Sequence, residues 1–495
     1  MIAIIDLLPA PEDRAVIYET IWQTLVQKLD VDRILNADRS VLLEKLFADR
    51  FVVAKKQELS GLLAASENYN LKLNGLIADW KRDHVYCAKC LEQYWRSQGK
   101  GIIVVIDNTD QYSPALQDFC FSSAQEISSA LGCITLISMR EERFYNSKIH
   151  GVLDAFQNSG FHISSPKPAE VFKKRLQYTI SLLSNNKRRA NLVGDADDDV
   201  IDDSCVYLGI LVKEFSTDKS PLKNFLTACA HGDIRLSLDL FRSFLLSGYT
   251  NVEEMVANKN WTFLIHQVIK PVMIPTRYFY DESLSDIPNV YQIRFNRNGS
   301  HFTALRILRK LAKNMEVSTP TYMAVAELAA YFAETFNMVD DFEKNLDLLL
   351  KHGFVEANNR VDSYSDSVDQ IKITNYGMYT LNDLAFYFSY LDLICTDCGV
   401  YDESVNNYLV EAARQEYKHF TKHERVERVK IRLDRVSRFI SYLKQEEMRE
   451  REFYTLGMPE TEMFTHKAGA AFEVERSRVL SSAKRQPTGP RPKRR

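Results

Sequence analysis

The stretch that most constrains the fold is Gly101 to Asp110, GIIVVIDNTD. Five consecutive apolar residues, Ile102 to Ile106, run into Asp107, and Asp110 follows three residues later. A short apolar run bounded by polar residues reads as a buried strand, so two carboxylates are delivered to a strand's carboxyl end. That is the chemistry of a magnesium and nucleotide-phosphate site. A helical stretch, Pro114 to Leu131, leads to a second apolar run, Cys133 to Ile137, which ends in Ser138, Met139, Arg140 and Glu141. Two such strands joined through a helix predict a parallel, doubly wound sheet with its ligand at the carboxyl edge.

The chain before this stretch has the same rhythm. Met1 to Leu8, MIAIIDLL, reads as a buried strand, and Arg14 to Leu29 places Val16, Ile17, Ile21, Leu25 and Leu29 at helical spacing. Further helices are predicted over Val41 to Leu63 and Leu71 to Ser97. Strands alternating with helices argue for an α/β core over residues 1–165. Residues 166–260 then turn helical, through Ala169 to Leu183, Val200 to Phe215, Pro221 to Cys229 and Ile234 to Leu246. Six aspartates lie between Asp195 and Asp203, but the ordered loop and terminal bidentate glutamate of a calcium site are missing, so a solvated acidic loop is expected.

Residues 261–380 open on an irregular connection carrying Pro271, Pro275 and Pro288. Three helical stretches follow, Thr303 to Asn314, Tyr322 to Phe336 and Phe342 to His352, and then two strand-like pieces, Phe354 to Ala357 and Gln370 to Thr374. That order is a winged-helix pattern. Its third helix carries Asp340, Asp341, Glu343 and Asp347, the wrong sign for a helix facing phosphate, so packing is expected rather than DNA reading. Residues 381–455 are helical again. There Val426, Val429, Leu433, Val436, Ile440 and Leu443 form a heptad seam, while Lys422 to Lys444 holds eight Lys/Arg against three Asp/Glu. This helix either docks on its own domain or offers a coiled or nucleic-acid contact. The basic residues 456–495, ending SSAKRQPTGPRPKRR, are expected to be a disordered tail that could graze an anionic partner.

Composition narrows the class. At 495 residues the chain exceeds one core, and length alone suggests roughly three domains. A formal net charge of -3 gives no global reason to bind nucleic acid. Neither a membrane span nor a signal peptide is read from the sequence, which points to a cytoplasmic location. The eight cysteines are spread through apolar runs and read as reduced core residues. Two pairs, Cys87/Cys90 and Cys395/Cys398, have metal-like spacing but lie too far apart in sequence for a typical four-cysteine zinc site.

Taken together, the Ile102 to Asp110 strand, the Ser138-Met139-Arg140 strand end, the helical block and the winged-helix order resemble the later part of a P-loop NTPase of the STAND/AAA+ type. The resemblance implies an incomplete α/β core followed by a helical lid, a winged helix and a C-terminal helical region. It implies ATP and magnesium as ligands, with Asp107 orienting the metal and Asp110 activating water. Ser138, Arg140 and Arg143 match the strand end that senses the γ-phosphate, and Arg235, after Gly232-Asp233-Ile234, matches the lid arginine. A regulatory switch of bacterial defence or signalling is implied, with a protein partner or a second copy of the chain. The sequence departs from the family at one point: it has no G-x-x-x-x-G-K-[ST] segment to cradle phosphates. Met1 would open the second core strand, so the loop is expected upstream in a longer or split protein. Otherwise the core is an inactive scaffold that holds protein or nucleic acid.

Overall fold

The computed structural model describes residues 1–139 and 165–485, apart from residues 65, 186–188, 190–193, 195–196, 231–232, 248, 251, 260, 276–277, 296–297, 318–320, 359–362 and 366–367. Helix dominates, and the chain divides into two compact units, Met1–Ile163 and Ser164–Arg495.

The N-terminal unit is built on three parallel strands, β1 (Ile2–Asp6), β2 (Ile103–Asp107) and β3 (Ile134–Ile137), in the order β1-β2-β3. Their register places Asp6 beside Asp107 at the carboxyl end. Between β1 and β2 run α1 (Arg14–Leu29), α2 (Arg39–Lys45), α3 (Ala48–Lys56), α4 (Glu67–Arg82) and α5 (His84–Ser97); α6 (Pro114–Leu131) joins β2 to β3. Alternation of side chains along a strand decides what is buried. Ala3, Ile5, Val104 and Ile106 are fully buried in a core shared with Trp22, Leu91, Trp95 and Ile127 of α1, α5 and α6. The alternate residues Ile2, Ile4 and Ile134 stay exposed. The sheet is parallel, and the core that the described helices form lies on one face of it. The helix expected over Leu71 to Ser97 is corrected, because Asp83 breaks it. Asp83 ends α4, caps α5 through the Tyr86 N–H at 3.0 Å and pairs with Arg50 at 2.6 Å.

The C-terminal unit opens with α7 (Pro168–Leu183), α8 (Asp198–Ser216), α9 (Pro221–Ala230), α10 (Ile234–Leu246), α11 (Val252–Asn258) and α12 (Ile265–Met273). In place of the expected acidic loop, the aspartates from Asp197 onward begin α8: Asp197 caps it, and Asp198 and Asp199 fill its first turn, where carboxylates favour the helix dipole. Next come α13 (Thr303–Val317), β4 (Met323–Ala324), α14 (Val325–Phe336), α15 (Val339–Lys351), β5 (Val355–Ala357) and β6 (Gln370–Ile373). The strands form a small antiparallel sheet in the order β4-β6-β5. α15 packs through Asp341, which is fully buried and accepts hydrogen bonds from Thr303 Oγ1 and Ser300 N, while Asp340 and Glu343 stay exposed.

After α16 (Asn375–Asn382), the helices α17 (Phe388–Ile394), α18 (Glu403–Thr421), α19 (Arg425–Phe453) and α20 (Phe464–Arg485) close the unit. The heptad seam of α19 is an internal one, with Val429, Leu433, Val436, Ile440 and Leu443 buried. The expected disordered tail is corrected as far as Arg485. Phe464, Ala468 and Phe472 recur every four residues and are buried, and Glu447 of α19 accepts the Phe464 and Thr465 N–H groups at 2.9 Å each, capping α20 from outside. Residues 486–495 lie outside the described residues.

Charge holds the same helices. Asp392 of α17, almost wholly buried, pairs with Arg432 and with Arg435 Nη2 at 2.9 Å, and Glu416 of α18 takes Arg435 Nη1 at 2.7 Å. Burial alone would raise the Asp392 pKa, yet the two guanidinium groups outweigh it and hold the carboxyl below its ordinary value. Its contribution to stability is therefore complete above the unfolded-state value of about 3.9 and is lost as pH falls through the lower folded-state value. Removing one partner of such a pair strands a buried charge, so Asp392→Ala is expected to destabilise this unit by about 3–5 kcal/mol. Urea denaturation measures it, and a loss under about 1 kcal/mol, the size of a surface pair, would mean that the apolar seam suffices alone.

Candidate functional site

The turn after β2 is what turns a strand end into a site. Asn108 adopts the left-handed conformation at φ 61°, which Asn tolerates better than most residues. In that conformation its backbone N–H reaches back to Asp107 Oδ1 at 2.9 Å, and its side-chain amide donates to Asp6 Oδ1 at 2.7 Å. Thr109, fully buried, donates to the carbonyl of Ser138 at 2.8 Å, while Ser138 N continues the strand pairing to Ile106 O at 2.9 Å. The Ser138 hydroxyl then donates to Asp107 Oδ1. The turn after β1 is fastened to the same place, since Gln111 and Tyr112 both donate to the carbonyl of Leu7, at 2.6 and 2.9 Å.

The result is a half-buried Asp107 with one oxygen fully committed and Oδ2 without a partner among the described residues. Asp6 lies alongside, its pKa lowered first by the Asn108 amide and then by the Leu8 N–H. Two ionised carboxylates on adjacent strands make a locally negative edge that suits a hard cation. Magnesium is usually held by one or two carboxylates, with water and phosphate filling the remaining positions. Asp107 and Asp6 fit that limited role. No group of three or more His, Cys, Asp or Glu side chains among the described residues could hold a metal by itself.

The structure brings together some of the residues expected from the sequence and separates others. Asp107 and Ser138 are in contact, and Asp110 sits half-buried on the single 3-10 turn Thr109–Gln111, beside them in the chain. Arg140 and Arg143 lie outside the described residues. Arg235 belongs to the other unit, exposed in the first turn of α10, where its backbone N–H donates to Asp233. Asp6 was missed, although IAIID ends its apolar run in an acid just as IVVID does. Cys87, Cys90, Cys395 and Cys398 are buried free thiols, and burial pushes Cys87 and Cys395 up to about 12.

Comparison with protein-family models, with curated proteins and with solved structures finds no match. The site therefore stands on its own geometry. That geometry makes the left-handed turn at Asn108 its most sensitive point. Asn108→Gly keeps the conformation, whereas Asn108→Val forces a β-branched residue into it, at a cost of about 1–2 kcal/mol. Chemical denaturation should find the valine variant less stable than the glycine variant by that margin. Equal stabilities would show that the turn relaxes freely.

Proposed function

We propose that the chain is a nucleotide-dependent regulatory switch of the STAND/AAA+ P-loop type. The observation that carries the reading is Asp107 Oδ2, left without a partner at the carboxyl end of the central strand while Ser138 from the next strand orients the same carboxylate. The order of elements supports it: a parallel β1-β2-β3 sheet, a helical block, and then three helices with an antiparallel β4-β6-β5 sheet, which is the order of a winged helix. Magnesium bound with ATP would supply charge neutralisation at the phosphates. Asp107 would hold the cation's water or the cation itself, and Ser138 would fix the carboxylate's rotamer. Asp110 would orient the attacking water. Arg140, Arg143 and Arg235 are the proposed reporters of the phosphate, with α10 in the part of a lid.

The phosphate cradle must come from outside this sequence, because no glycine-rich lysine loop is present in it. That gap favours the alternative, a scaffold that keeps the fold and holds protein or nucleic acid. Of the eight Lys/Arg in Lys422 to Lys444, Arg428, Lys430, Arg432, Arg435 and Lys444 already pair with acids of this chain, which weighs against nucleic acid on that helix. No helix among the described residues is long and apolar enough to cross a membrane.

Thermal unfolding with and without Mg-ATP separates the two readings, because a ligand of the native state stabilises it by mass action. The switch predicts a rise of several degrees that Asp107→Ala removes, and ATP turnover that Asp110→Ala abolishes while the rise persists. An unchanged melting temperature at millimolar Mg-ATP, both for the chain alone and for the chain together with the segment that supplies the cradle, would sink the switch and leave the scaffold.

A further inference from the structure

We propose that the C-terminal unit contains a second ligand site, a cavity of about 350 Å³ between α12, α17, α18 and α19 that takes a phosphomonoester bearing a planar ring, such as a nucleoside monophosphate. The site is independent of the sheet edge, and its volume lies within the range of small-molecule pockets, about 300–1,000 Å³. Its argument is one of unbalanced charge.

Three guanidinium groups, Arg428, Arg432 and Arg435, and the Lys270 ammonium line the cavity, against two carboxylates, Asp392 and Glu416. The carboxylates are spent on the arginines. Arg432 Nε reaches Asp392 at 2.8 Å, and Glu416 takes Arg435 Nη1 at 2.7 Å and the Tyr278 hydroxyl at 2.9 Å. Arg428 lies at 3.6 Å from Glu416, and its Nε is buried without a hydrogen bond. The Lys270 Nζ has no hydrogen bond or ion pair within 4 Å among the described residues. Four cations facing two anions leave a formal surplus of two positive charges in a partly desolvated space, where unmatched charge is costly. Burial, followed by the Arg432 guanidinium, pushes the Lys270 amine down to about 7 against the opposing pull of Asp392 and Glu416, so a bound anion would draw a proton onto it.

A phosphomonoester carries nearly two negative charges at neutral pH and offers oxygens to both the ammonium and the guanidinium fork. Aromatic rings line the same cavity. Tyr278 and Phe420 lie 4.5 Å apart between ring centroids, Phe279 packs on Tyr278 at 4.8 Å, and Arg428 lies over Phe420 at 5.1 Å. A planar ring bound beside them gains stacking and apolar burial. Cationic groups for a phosphate and rings for a base are the two requirements of a nucleoside monophosphate.

Isothermal titration of the full chain with AMP, adenosine and inorganic phosphate tests the site. AMP is expected to bind, phosphate to bind more weakly and compete with it, and adenosine to give no heat at millimolar concentration. Lys270→Ala should weaken AMP at least tenfold with an unchanged melting temperature of the ligand-free protein, Lys270→Arg should retain binding, and Asp107→Ala should leave it intact. Absence of heat from AMP and phosphate at millimolar concentration overturns the proposal. So does AMP binding that Lys270→Ala does not weaken, or that Asp107→Ala abolishes.

Discussion

Two buried carboxylates, Asp392 and Glu416, determine how the end of the C-terminal unit holds together. Each sits on a different helix, and both face the guanidinium groups of α19, so α17, α18 and α19 meet at one ionic junction. Apolar burial along the heptad seam supplies the bulk of the attraction, but it is non-directional. The junction adds direction, since Arg435 reaches both acids only when the three helices are in one register. A pair of this kind is a poor source of net stability and costly to break from one side. It therefore works as a constraint on the arrangement more than as a source of energy. Glu447 performs the same office further along α19, where it caps α20 and fixes the point at which the last helix docks.

How much of this was legible in the sequence follows from how local each signal is. The strands at Ile2 and Ile103 and the helix at Arg14 were readable because a short apolar run and a helical period are properties of neighbouring residues. The strand pair Phe354–Ala357 and Gln370–Thr374 was readable for the same reason, and the structure has Val355–Ala357 and Gln370–Ile373 paired antiparallel. β4, only Met323–Ala324, was not, because two residues carry no period. The basic composition of α19 left two readings open, and the structure has the helix docked on its own unit for a physical reason. Arg428, Arg432 and Arg435 lie among the seam residues, so they point inward toward acids supplied from residues 392 and 416, which no local window contains. One signal was present: Asp392 interrupts the apolar run Phe386 to Ile394, and a lone acid inside such a run requires a partner.

At the sheet edge the acids Asp107 and Asp110 were visible, whereas the geometry that joins Asp107 to Asp6 and Ser138 was not. It depends on one backbone angle at Asn108, which places its N–H on one acid and its side-chain amide on the other. The apolar runs of β1, β2 and β3 have the unbroken character of strands covered on both faces. Only one face is packed in the core described for this unit, with Ile2, Ile4 and Ile134 exposed on the other. Sequence pattern and burial differ there because hydrophobicity records what a strand tolerates, while burial records the helices that pack on it.

The overall charge of -3 conceals both sites. It averages an acidic strand edge, where Asp6 and Asp107 stand together, with a cavity in which four cations face two acids. Exposed charges separated by more than about 8–10 Å are largely screened from one another in ordinary salt. Half-buried ones are not, so a local imbalance acts on whatever enters the space beside it regardless of the total. An edge with a free carboxylate oxygen has the charge that the proposed hard cation would meet. A cavity with more basic than acidic groups has the charge that the proposed anion would meet. The sign of the uncompensated group, rather than the fold that presents it, is the ground on which each ligand class is proposed.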